Sequence, residues 1–108
     1  MDESAFHTLA DQTLTRLQTA IETSLGDDAT ADLRDGILTV ELDDGRQYLI
    51  NKHAPTRQIW LSSPLSGAAH FAHDAASGAW RSTRGGAVLT ELLAAELRAV
   101  GGKPVSFD

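Results

Sequence analysis

Glu3, His7 and Asp11 stand four residues apart near the start of the chain. On a helix, residues at that spacing share one strip, and at about 100° per residue Glu22 returns close to it. Asp27, Asp28 and Asp32 follow within the next ten residues. Carboxylates with one imidazole suit hard or borderline cations such as iron or manganese. Glu22, Asp27 and Asp28 also fall at the negative end of the helix dipole, where acids are disfavoured, so their gathering there points to a positive ligand. The plainer reading is a solvated, solubilising face, with His7 an ordinary surface histidine. Spacing alone leaves both open.

The surroundings sharpen the question. Residues 1–33 hold seven acids against a single base, Arg16, while residues 34–108 hold eight of each sign, so the whole net charge of −6 lies in the first third. Such a field repels nucleic acid and anionic membrane and attracts cations or a basic protein surface. The chain has no cysteine, which removes disulfides, thiolate metal sites and thiol catalysis. Its first residues are not expected to act as a secretory signal or a transit peptide, and no apolar run approaches a membrane span. A cytoplasmic protein is expected. Enzyme motifs are missing as well: Ser62-Ser63 lacks a nucleophile elbow, and Gly85-Gly86 lacks the lysine and spacing of a phosphate loop.

A second candidate lies in "RQIWLSSP" (57–64). Side chains alternate across a strand, so Ile59 and Leu61 point one way and Gln58, Trp60 and Ser62 the other. A tryptophan on the polar side is either a docking residue, since exposed aromatics are frequent binding hot spots, or is covered by an element that the pattern does not identify. Thr39, Glu41, Asn51 and His70 are candidates for the same face. Trp80 reads as packed in the core or at its edge. His53 and His73 read as loop or strand-end residues without partners.

The elements that must position these residues follow from periodicity. Phe6, Leu9, Ala10, Leu14, Leu17, Ile21 and Leu25 make one helical stripe over 3–25, capped by Asp2 or Ser4 and ended by Gly26. The period then falls to two: a short strand near Ala31–Arg34, "ILTVEL" (37–42), a primed turn at Asp44-Gly45, "QYLIN" (47–51), "QIWLS", a strand around Ala69–His73 and one carrying Trp80. A second helix is expected over 87–100, stopped by Gly101-Gly102 and Pro104, with Phe107 laid on the core. Helix, strand meander, helix makes one α+β domain over 1–108. It should be a two-layer sandwich, with both helices on one face of a five- to seven-stranded, mostly antiparallel sheet and the other face open to water.

With these segments in place, the chain resembles the frataxin family nearly end to end, in particular its bacterial branch. "FHTLADQTL" is similar to the start of the family's first helix, "DGILTVELDDGRQYLINK" to its central hairpin, "RQIWLSSPLSG" to its most specific strand, and "LTELLAAEL" to its second helix. The resemblance implies an iron-binding protein of iron–sulfur cluster assembly, acting as iron donor or as regulator of the cysteine desulfurase. It implies weakly bound iron (ferrous or ferric) on the acidic ridge of Glu3, His7, Asp11, Glu22, Asp27, Asp28 and Asp32. Trp60, Gln58, Asn51, His70 and Glu41 would meet the desulfurase and the scaffold protein. Neither nucleic acid nor membrane is an expected partner, and a monomer is expected. Bacterial relatives carry more acids where this chain has Gln18, Thr19, Thr23 and Ser24, so its metal sites should be fewer or weaker. Two other readings stay open: a metal-independent module docking through the same surfaces, and weak ferroxidase activity as a side reaction of bound iron.

Overall fold

The computed structural model describes residues 1–107. Helix α1 spans Glu3–Leu25; Asp2 caps it by accepting from the Ala5 amide at 2.7 Å, and Gly26, at φ +55°, ends it. Phe6, Ala10, Leu14, Leu17, Ile21 and Leu25 are its buried stripe, as the periodicity requires. Six strands follow: β1 (Ala29–Arg34), β2 (Ile37–Leu42), β3 (Gln47–His53), β4 (Gln58–Ser63), β5 (Gly67–Asp74) and β6 (Ala79–Ser82). They form one sheet in sequence order, every pair antiparallel. Helix α2 runs Leu89–Gly101.

The inward strand residues, among them Leu38, Val40, Tyr48, Ile50, Ile59 and Leu61, are buried in one cluster with both helical stripes. Trp80 belongs to that core, as expected: it is 6% exposed, sits edge-on to Phe6, and its Nε1 donates to Thr13 Oγ1 on α1 at 2.9 Å. Val105 and Phe107 lay the C-terminal tail over the same core. Burying each large apolar side chain contributes about 1.5–3 kcal/mol, which makes the helix side of the sheet the rigid support for the open side.

Several local expectations shift. The expected primed turn at Asp44-Gly45 is instead a four-residue loop in which only Gly45 has a positive φ, closed by Asp44 accepting from the Arg46 amide and Nε at 3.0 and 2.8 Å. The two-residue primed turn forms instead at Asp35-Gly36, where the sequence carries a similar turn signal before Ile37, with φ of 52° and 76°. A Cβ at Gly36 would come within 2.6 Å of the Lys52 Cε, a contact the flexible lysine could relieve by shifting, so it is the positive φ that favours glycine there. Strands β1 and β5 are longer than alternation indicated. The second helix starts later than residue 87, because Val88 is extended and bridges Arg81 before the chain turns.

Candidate functional site

The open sheet face carries a stack of three aromatic rings. Strand register sets Ile37, Asn51, Trp60 and His70 in one row across β2 to β5. The Trp60 indole lies between two imidazoles: His53 at 3.7 Å between centroids and 12° between planes, and His70 at 4.2 Å and 9°. Its Nε1 donates to Gln58 Oε1 at 2.9 Å. The expectation that His53 lacks a partner is therefore overturned. His53 shares the parity of Leu49 and Asn51 on β3, and the tight β3–β4 turn, with Arg57 left-handed at φ +55°, sets it diagonal to Trp60. The neighbouring hydroxyl of Thr56 lies 2.8 Å from His53 Nδ1. His73 also has a partner, standing edge-on to Trp80 at 5.2 Å.

Trp60 does leave the core, as alternation indicates, but both ring faces are covered and the residue is half-buried. The surface presents the indole edge, flanked by imidazoles. Around it Ile37 and Leu49 are 44% and 42% exposed, an apolar margin that alternation on β2 and β3 would have revealed. Gln58, Asn51 and His70 gather with Trp60. Glu41 does not: it lies four residues from Ile37 along β2, about 13 Å at the strand rise, and accepts from Gln47 Nε2 at 2.9 Å.

The loop after β4 is fastened from the helix side. Glu96 of α2 accepts from Tyr48 Oη at 2.9 Å, Ser63 Oγ at 2.5 Å and Ser66 Oγ at 2.7 Å. Ser63 Oγ in turn accepts from the Leu65 and Ser66 amides, both at 3.0 Å. Burial first, and then the bond to Glu96, push the Tyr48 phenol above its ordinary range. One carboxylate thus joins α2, β3 and the "SSPLSG" loop beside the stack. Sequence reading missed it, because Glu96 lies 48 residues from Tyr48.

The acidic ridge is less free than its composition implies. Asp11 is 2.7 Å from Lys52 Nζ, Asp28 is 2.5 Å from Lys103 Nζ, and Asp32 is 3.1 Å from Arg34 Nε. That bond to Asp28 raises the Lys103 ammonium pKa. Glu3 stands 3.6 Å from His7 Nε2. Glu22 and Asp27 are exposed and enter no ion pair among the described residues. Among the described residues, no three His, Asp or Glu side chains come together closely enough to hold a metal ion. No helix is long and apolar enough to cross a membrane.

Against known proteins, the chain matches the family model described as the frataxin-like domain over residues 1–103. It is 40% identical to the iron-sulfur cluster assembly protein CyaY of Thioalkalivibrio sulfidiphilus, covering 97% of this chain and 98% of that protein. It is 38% identical to mitochondrial frataxin of Arabidopsis thaliana along all of this chain, but spans only 60% of that longer protein. Among solved structures, frataxin from Psychromonas ingrahamii superposes with a TM-score of 0.90 at 30% identity, over 100% of this chain and 99% of that one. Trimeric frataxin of Saccharomyces cerevisiae, complexed with ferrous, superposes at 0.75 and 37% identity over 88% and 87% of the two chains. With the sheet order, the helix layer and the profile match in agreement, the chain belongs to the frataxin family, in its bacterial branch.

Proposed function

We propose that this protein serves iron–sulfur cluster assembly in the cytoplasm as an iron-binding adaptor, with iron as cargo and the cysteine desulfurase and its scaffold protein as partners. The observation that carries the reading is the placement of charge: seven acids and one base in residues 1–33, along α1, the turn after it and edge strand β1, in a molecule whose open sheet face carries the Trp60 stack. A relative named for iron–sulfur cluster assembly and a yeast frataxin complexed with ferrous support it. The donors fit iron in kind, as exposed oxygens with one imidazole. Without a preformed cage the ion must order its own ligands, so binding is weak. Glu22 and Asp27 are the free carboxylates from which a site would grow; Asp11, Asp28 and Asp32 must first leave their bases. Ferrous titration under anaerobic conditions, followed by amide NMR, tests this. Broadening confined to residues around Glu3–Asp11 and Glu22–Asp32 is expected, and broadening spread evenly over the chain refutes it.

A second reading is favoured by those same ion pairs. The acids act only to dock a basic partner surface, and the Trp60 edge anchors the contact without metal. Desulfurase binding would then survive chelation and fall steeply with salt, because exposed charges are screened over about 10 Å at 0.1 M. Loss of binding on chelation rejects it. In neither reading is the protein an enzyme; oxidation of bound iron would be a side reaction of carboxylate-held metal.

A further inference from the structure

A cleft of about 370 Å³ opens beside the aromatic stack, lined by Ala68, Ala69 and His70 of β5 and by Ser82, Thr83 and Arg84 at the end of β6. None of the six is acidic, and the surrounding chain is lopsided in the opposite sense to the N-terminal third. Between Asp44 and Glu91 there is one acid, Asp74, against five Lys and Arg. Asp74 is held by Arg81 at 3.2 Å, and Arg46 and Lys52 are answered by Asp44 and Asp11. Arg57 bonds the carbonyl of Ala54. Arg84 alone of the five enters neither an ion pair nor a side-chain hydrogen bond among the described residues, and it lines the cleft.

The loop that presents Arg84 is built. Ser82 Oγ accepts from the Arg84 amide at 3.1 Å and donates to its carbonyl at 2.8 Å. The Thr83 amide donates to the His70 carbonyl at 2.9 Å, tying the loop to β5. Gly85 and Gly86, at φ of 87° and 75°, turn the chain away at once. Opposite, the His70 ring is fixed flat against Trp60. Arg84 therefore has a placed backbone, His70 a placed ring, and Ala68, exposed and on the same face of β5 as His70, supplies a methyl group beside them.

We propose that this cleft is a carboxylate-binding site, taking an acid on a short apolar stem. A guanidinium matches a carboxylate with two parallel N–H donors, an imidazole N–H and the Thr83 hydroxyl can add one each, and Ala68 receives the stem. The single permanent charge of Arg84 balances one carboxylate, whereas a phosphate dianion would leave a charge unanswered. The acid comes either from a free small molecule or from a Glu side chain of a protein partner. This assignment stands independently of any role in iron handling.

The test is amide NMR of the full chain at constant ionic strength, titrated separately with butyrate, inorganic phosphate and the blocked residue N-acetyl-glutamyl amide. The site requires saturable shifts at residues 68–70 and 82–84 with a millimolar dissociation constant. R84Q should weaken binding about tenfold, as loss of a charged hydrogen-bonding partner does, and R98Q, which removes the same charge from α2, should change it less than about twofold. Saturation by butyrate assigns a free acid; saturation by the blocked glutamate alone assigns a partner's side chain. Shifts spread over the molecule, equal binding by R84Q and wild type, or phosphate binding as tightly as butyrate overturns the proposal.

Discussion

Replacing Glu96 with alanine should cost the domain about 3 kcal/mol. The carboxylate receives three hydroxyl protons, at 2.9, 2.5 and 2.7 Å. Of the donors, Tyr48 is fully buried and Ser63 is 7% exposed, whereas Ser66 lies at the surface and regains water when released. Each buried hydroxyl left without its partner costs about 1–3 kcal/mol; two of them, at about 1.5 kcal/mol each and with no net loss at Ser66, give about 3 kcal/mol. For a domain of this size the melting temperature should then fall by about 12 °C or more, a large share of a total stability of about 5–15 kcal/mol. Urea unfolding followed by tryptophan fluorescence should show a lower midpoint with an unchanged slope. The Leu65 and Ser66 amides, which bond Ser63 Oγ, should exchange faster with deuterium than the β2 and β3 amides do. Y48F should couple to E96A in a double-mutant cycle, since both remove the same bond. A loss below about 1 kcal/mol, or no coupling, refutes the view that one carboxylate fastens this loop.

Other outcomes follow from the same structure. The folded-state pKa of Tyr48 is raised above its ordinary value of 10, so its contribution is complete below that pH and is lost as pH rises past it; alkaline melting curves should show a loss that Y48F lacks. Asp74 is held below its ordinary range, first by Ser77 and then by the Ala76 amide, so its contribution is present above pH 3.8 and fades as pH falls through the lower folded value. D74N should flatten the acid limb of a pH melt, and an unchanged limb would contradict it. Trp60→Ala loses two stacked ring pairs, each worth about 0.5–1.5 kcal/mol; thermal melts should show a folded, modestly weakened domain, and collapse of the fold would place the indole in the core. Lys52→Gln frees Asp11 from an ion pair worth at most about 1 kcal/mol, so ferrous titration should show tighter binding near Asp11 if that acid is a ligand, and no change if it is not.

The sequence by itself determined the layers. Periods of 3.6 and 2 report burial directly, so the stripe from Phe6 to Leu25, the inward Leu38, Val40 and Ile59, and the outward Trp60 were legible, as was the concentration of acid in the first third. Parity also contained the outward position of His53 on β3, although a strand-end histidine gave no reason to look for it. What only the tertiary structure decided is which side chains meet. Lys52 reaches Asp11 across 41 residues, Glu96 collects hydroxyls 30 to 48 residues away, and two imidazoles close over one indole because hairpin register and turn length happen to align them. Periodicity fixes which face a residue takes; pairing across faces depends on register and packing distance, which no local window of sequence contains.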